Sequence, residues 1–203
     1  MIRVVVITDR APDVLVRASA IAAAVGRDVR FQVRERDLDG GAVLELTRAL
    51  IAIVRPHGAE VWVNDRVDVA LAAGADGVQL PERGISIADA RALGGGLALG
   101  CSRHSIEGAI EAARAGADAV HLGPIWSTPS KDGILAPLGA ETLGRRLGAP
   151  LIAVGGIDVA RARDAARAGA DAVAVIRAAW TTEDPAATIA AMCDAVKTAR
   201  SGS

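Results

Sequence analysis

Arg10, Arg34, Arg36, Arg103, Lys131 and Arg177 all fall at or just past the ends of short apolar runs. Cations gathered at one rim are chemistry for anions, phosphate first among them. Of the 23 lysines and arginines, only Lys131 and Lys197 are lysine. Arginine is this chain's default cation, so a lysine at 131 reads as a point-charge contact rather than a planar fork. Val154-Gly155-Gly156-Ile157-Asp158 is a second anion signal, since two glycines end a strand where a helix should begin. Backbone N–H groups at such a helix start bind phosphate. Asp65, beside Asn64, supplies a carboxylate suited to a hydrated Mg²⁺.

The run Val29-Arg30-Phe31-Gln32-Val33-Arg34-Glu35-Arg36 alternates apolar and polar side chains. Residues two apart share a face of a strand. Val29, Phe31 and Val33 make one face; Arg30, Gln32, Arg34 and Arg36 make the other. If the apolar face packs on helices, Gln32, Arg34 and Arg36 point into a lumen and toward its mouth. Gln79 and His121 sit at matching positions between outward Val78/Leu80 and Val120/Leu122, and Trp62 shares a face with Asn64. Polar groups in such an interior must be satisfied by one another or by a ligand.

The elements that position these residues follow from a repeat. Ala-Gly-Ala-Asp recurs at 73–76, 115–118 and 168–171, each copy after an Ala/Arg-rich helical stretch and before a short β-rich run. The glycine suits the left-handed residue that ends a helix, and the apolar run suits a buried parallel strand. Strands are expected at 2–8, 29–34, 60–64, 77–80, 97–101, 119–123, 150–154 and 172–176. Helices are expected near 12–25, 41–54, 66–73, 86–93, 105–115, 140–147, 158–168 and 184–199. Asp13, Ser86, Ser105, Asp158 and Asp184 stand at helix starts. This is a single (β/α)8 barrel (a TIM barrel) over residues 1–197 with a frayed tail at 198–203, and its chemistry belongs at the C-terminal ends of the strands. The long irregular stretch 123–139, with Pro124, Pro129 and Pro137, reads as a functional loop.

Composition narrows the partners. A formal net charge of −1 gives no basic field for nucleic acid. No apolar run approaches a membrane span, and the N-terminus has no leader pattern. Cys101 and Cys193 lack metal-type spacing, so the default is a reduced, cytoplasmic compartment. Trp180 and the apolar last helix could serve the core or an interface in a homodimer. The residues themselves thus imply a barrel that takes a phosphorylated or diphosphorylated small molecule, without naming the reaction.

Five segments then carry a resemblance. Phe31–Arg36, Val63–Ala70 (reading Asn64-Asp65-Arg66 with Asp68 and Ala70), Gly100–Ser105, Gly123–Lys131 and Gly155–Ile157 are similar, in order, to the motifs of the thiamine phosphate synthase/TenI family. That resemblance implies a synthase that couples hydroxymethylpyrimidine diphosphate to a thiazole phosphate with Mg²⁺ and releases pyrophosphate. By motif position, Gln32, Arg34, Arg36 and Asn64 would hold the pyrimidine diphosphate, and Asp65 the metal. Ser102 would contact the diphosphate, Thr128 and Ser130 the thiazole phosphate, and Lys131 the pyrophosphate. Gly155, Gly156, Ile176 and Arg177 would close the phosphate pocket. Three positions depart from the pattern. The second metal aspartate would fall at Gly84, with Glu82 as a substitute ligand. Position 177 is Arg where Ser is usual. The base of the related TenI-type thiazole tautomerase would fall at Pro124, leaving His121 as its only substitute. The alternatives to a synthase are therefore that tautomerase, or a non-catalytic sensor of phosphorylated ligands.

Overall fold

The computed structural model describes residues 1–10, 13–94, 96–128 and 135–201. Strands β1 (Val4–Ile7), β2 (Val29–Val33), β3 (Glu60–Asn64), β4 (Gly77–Leu80), β5 (Ala98–Arg103), β6 (Ala119–Leu122), β7 (Leu151–Val154) and β8 (Ala172–Val175) pair in parallel in chain order. β8 pairs back with β1, closing a (β/α)8 barrel. The helices are α1 (Val14–Val25), α2 (Gly40–Val54), α3 (Val67–Ala73), α4 (Ile87–Ala92), α5 (Ile106–Arg114), α6 (Val159–Ala168), α7 (Arg177–Trp180) and α8 (Pro185–Ser201).

Side-chain alternation divides the apolar interior into two separate clusters. Phe31, Val33, Val63, Val78, Leu80, Val120 and Leu122 pack outward against the helices. Val5, Ile7, Trp62, Ala119, Ile152, Ala172 and Ala174 fill the lumen. Val33 and Val78 thus face outward and Gln32 and Gln79 inward, as the alternation predicts.

The repeated aspartate has a structural task at the lower end of the barrel. Asp76 donates its N–H to the Val61 carbonyl and accepts the Val61 N–H on its carboxylate, at 2.9 and 2.8 Å. Asp118 does the same with Leu99, and Asp171 with Leu151. An arginine from a neighbouring helix or turn completes each clasp: Arg55 on Asp76, Arg91 on Asp118, Arg200 on Asp171. The same arginines donate to the carbonyls of Gly74, Gly116 and Ala170, where the preceding helices end. Two backbone groups and one helix end are therefore satisfied by one acid–arginine pair.

Three expectations change, and one cap is new. Asp13 makes no cap bond and instead pairs with Arg17, one turn on, at 2.6 Å. Asp39, unforeseen, caps α2 by accepting the Ala42 N–H. The expected helix at 140–147 is only a 3-10 turn, Ala140–Gly144; Gly144 and Gly148 break the periodicity there. At the other end α8 continues to Ser201, anchored by buried Ala199 and by the Arg200–Asp171 pair, so residues 198–201 are not a frayed tail. Ser86, Ser105, Asp158 and Asp184 cap their helices as expected.

The clasp should be measurable. Asp118→Ala leaves the Leu99 N–H without its acceptor, a loss of about 1–2 kcal/mol, with the half-exposed arginine arm adding little. Thermal denaturation should show a melting temperature lowered by roughly 2–8 °C, and an unchanged midpoint would refute the clasp.

Candidate active site

The first corner of the mouth lies above β1 and β2. Buried Thr8 continues the ladder by donating its N–H to the Gln32 carbonyl at 2.9 Å. Its hydroxyl accepts the Arg34 N–H, also at 2.9 Å. That pins Arg34 just past β2, half-buried. Burial first, then the nearby charge of Arg36, pushes the Arg34 guanidinium below its ordinary value. Two guanidinium groups held close are relieved by an anion between them. Arg36 itself is exposed, so it belongs to the rim and not to the lumen as the alternation implied; β2 ends at Val33 and the period ends with it. Below them, the Gln32 amide donates to Asn64 Oδ1 at 3.1 Å.

Asp65 lies one residue past β3, exposed, with φ of 66°. Aspartate is one of the few residues that tolerates this left-handed conformation, and such outliers gather at functional sites. Its N–H donates to the Gln79 carbonyl at 2.9 Å, which keeps the turn tied to β4. A Cβ at Gly84 would lie 3.2 Å from Asp65 Oδ1. Position 84 therefore faces the Asp65 carboxylate directly. Glu82, exposed, accepts the His104 N–H on Oε1 at 3.4 Å. Among the described residues no group of three or more His, Cys, Asp or Glu could hold a metal. One exposed carboxylate is still a fitting donor set for Mg²⁺ that arrives on a substrate's phosphates, because that ion keeps its waters and asks for only one or two carboxylates.

The wall over β4, β5 and β6 is polar. Buried Gln79 donates from Nε2 to Ser102 Oγ at 3.0 Å, and Ser102 is in register with His121. Burial, with a smaller contribution from the charge of Arg30, lowers the His121 pKa from 6.5 to about 3. It is a neutral lumen side chain and a poor base. Deeper still, Arg30 stacks 3.7 Å over the Trp62 ring. Glu60 accepts from both Arg30 Nε and Trp62 Nε1, at 2.8 and 3.1 Å.

The loops after β6 and β7 interlock. Gly155 and Gly156 have φ of 100° and 68°, and Cβ atoms there would press on Pro124 Cα and the Ser127 carbonyl, both at 2.7 Å. Ile125 N–H donates to the Val154 carbonyl at 2.9 Å, and Thr128 is buried at the end of the same segment. Asp158 caps α6 by accepting the Arg161 N–H. Ile176 packs onto the lumen cluster, and exposed Arg177 opens the short helix α7, which periodicity did not reveal.

Gln32, Arg34, Asn64, Asp65 and Ser102, on or just past β2, β3 and β5, and Gly155, Gly156, Ile176 and Arg177, after β7 and β8, all stand at the C-terminal ends of the strands. Ser130 and Lys131 lie outside the described residues. Arg10 and Arg103 leave the cationic set: Arg10 pairs with Asp37, and Arg103 donates to the Ser102 carbonyl beside Cys101, on the helix-facing side. Burial pushes the Cys101 thiol up and the Cys193 thiol to about 12, so both behave as small apolar side chains.

A closed barrel with paired guanidinium groups, an exposed acid and a glycine turn at one mouth is of the class that holds phosphorylated small molecules. The family model for thiamine monophosphate synthase matches residues 4–179. A putative thiamine-phosphate synthase of Geobacter sulfurreducens is 42% identical over 172 residues, covering 82% of this chain and 81% of the relative. The thiamine-phosphate synthase of Chloroflexus aurantiacus is 40% identical over 171 residues, covering 83% and 79%. The structure of a thiamine phosphate pyrophosphorylase from Pyrococcus furiosus superposes with a TM-score of 0.87 at 30% identity, over 98% of this chain and 96% of that one. The chain belongs to the thiamine monophosphate synthase family. No helix among the described residues is long and apolar enough to cross a membrane.

Because folding keeps His121 neutral down to about pH 3 while the unfolded chain protonates it near 6.5, its contribution is fully present above pH 6.5 and is lost as pH falls. Urea unfolding should therefore show lower stability at pH 5 than at pH 7, and His121→Gln should shrink that difference. An equal difference in the variant would show that other groups govern it.

Proposed function

We infer that this protein is a thiamine-phosphate synthase, a transferase joining hydroxymethylpyrimidine diphosphate to a thiazole phosphate. The observation that supports this most is the half-buried Arg34 beside Arg36, directly over the Gln32–Asn64 pair. That is a place for a pyrimidine ring below and a diphosphate above. In the reaction the bond from the pyrimidine's methylene carbon to the diphosphate oxygen breaks, and its electron pair leaves with pyrophosphate. The thiazole nitrogen's lone pair then forms the new C–N bond. No general base is required; what lowers the barrier is stabilisation of charge on the departing oxygens.

Arg34 and Arg36, with Lys131, meet that charge. Gln32 and Asn64 orient the pyrimidine, and Ser102 donates to the diphosphate. Thr128, Ser130 and the Gly155–Gly156 turn hold the thiazole phosphate, with Ile176 and Arg177 at its edge. Asp65 would hold Mg²⁺, which neutralises leaving-group charge when bound. An isomerase would need a base at the mouth. Pro124 offers none, and His121 is buried and barely basic.

Incubation with both substrates and Mg²⁺ should yield the coupled product by mass, and a chelator should abolish it. Chelator-resistant isomerisation of the thiazole phosphate without coupling would overturn the reading. Arg34→Ala and Lys131→Ala should each lower turnover by about 10²–10³; a variant with wild-type turnover would lose its assigned role.

A metal titration addresses position 84. Gly84→Asp brings a second carboxylate beside Asp65 once the Pro81 ring, 2.9 Å from the new Cβ, gives way, so half-maximal activity should need less Mg²⁺, while Asp65→Ala should abolish it. Glu82→Gln should leave the Mg²⁺ requirement unchanged. A raised requirement in that variant would make Glu82 the second ligand after all.

A further inference from the structure

Gln79 is fully buried, yet its amide is aimed at a mouth residue. It gives an N–H to Ser102 Oγ at 3.0 Å. A hydroxyl that accepts here still has its own proton to give elsewhere. One strand pair away the same polarity recurs. Gln32 gives an N–H to Asn64 Oδ1 at 3.1 Å, which leaves the Asn64 amide with its two donors. In both places a lumen glutamine occupies an acceptor of a mouth residue and leaves that residue a donor to give. A diphosphate offers acceptors only, so a mouth of donors is what it requires.

We propose that Gln79 is a positioning residue that fixes Ser102 as a hydrogen-bond donor to the diphosphate and to the departing pyrophosphate. This rests on the reading of Ser102 as a diphosphate contact. Gly100, between the two on β5, is part of the device. A Cβ there would collide with Gln79 Oε1 and come within 2.7 Å of Trp62 Cζ3. Only a bare backbone at 100 lets the glutamine amide lie across β5 and reach Ser102.

The test compares the wild type with Gln79→Leu, Gln79→Glu, Ser102→Ala and the two double variants, each shown folded by its melting curve. Three quantities are read: affinity for inorganic pyrophosphate with Mg²⁺ by calorimetry, and kcat and KM of coupling. Gln79→Leu should weaken pyrophosphate binding and lower kcat by about threefold to tenfold, the range for one hydrogen bond, with KM for the thiazole phosphate unchanged. Gln79→Glu should resemble the wild type at acidic pH, where a protonated carboxyl can still donate. It should lose affinity as pH rises and the carboxylate claims the Ser102 proton. Neither glutamine variant should have any further effect once Ser102 is alanine. Should Gln79→Glu fail to fold, Gly100→Ala displaces the amide with both residues present and should reproduce the Gln79→Leu result. Equal, pH-independent losses in the Leu and Glu variants, or losses that add fully to Ser102→Ala, would overturn the proposal. If the wild type bound pyrophosphate but coupled nothing, the synthase reading would fall, and the pyrophosphate series would still decide the role of Gln79.

Discussion

The parallel ladder that closes the barrel is fastened at its lower end by hydrogen bonds from strand to strand, and at three junctions an aspartate side chain makes them. Asp76, Asp118 and Asp171 join β3 to β4, β5 to β6 and β7 to β8 with the same exchange of hydrogen bonds. The β1–β2 pair uses a simpler version, in which the Arg3 N–H donates to the Asp28 carbonyl at 2.8 Å. Backbone bonds alone fasten three junctions between these pairs: the N–H groups of Ala98, Val120 and Val173 donate to the carbonyls of Asp76, Pro150 and Arg3, at 3.2, 2.9 and 3.0 Å. Left-handed turns occur at both ends of the barrel: Gly74, Gly116 and Gly169 close helices at the bottom, and others stand at the upper end. Left-handed Arg10, Asp65, Gly155 and Gly156 all stand at that upper end.

Much of this is legible in the residues, and the reasons differ from part to part. The Ala-Gly-Ala-Asp repeat marks helix ends by a conformation that glycine favours, so residue types alone place three helix-to-strand junctions. The alternation through Phe31-Gln32-Val33 reports which face is buried, because a strand has only two faces. Where the strand stops, that period stops with it; Arg36, which the alternation assigns to the lumen, therefore stands on the rim. Arg103 misleads for the opposite reason. It is still within β5, one residue from Ser102, and so points to the other side. The Asp65–Gly84 facing and the Gln79–Ser102 bond join residues distant in sequence, and no local pattern announces them. Asp39, a helix cap, does carry a local signal in its place before Gly40-Gly41 and the apolar run that follows.

The mouth is organised by polarity as much as by charge. Arg34 and Arg36 bring net positive charge, but Gln32, Asn64, Gln79 and Ser102 decide which atoms face a ligand. A guanidinium attracts any anion within reach. A fixed array of donors recognises oxygen atoms at particular positions, and because it is built on strands rather than loops it does not need to reorganise when charge develops.

The stacked Arg30 and Trp62, braced by Glu60 and surrounded by Val5, Ala119 and Ile152, fill the lower lumen with side chains. The barrel is therefore a cul-de-sac: whatever goes in by the mouth leaves by the mouth. Two reactants and two products share a single doorway. On the binding proposed above, a pyrimidine on Gln32 and Asn64 is the deeper guest, and a thiazole phosphate at the Gly155–Gly156 turn lies nearer the exit. Geometry of that kind imposes a queue. The deep reactant must enter first, the outer one closes the way behind it, and departure has to reverse the sequence.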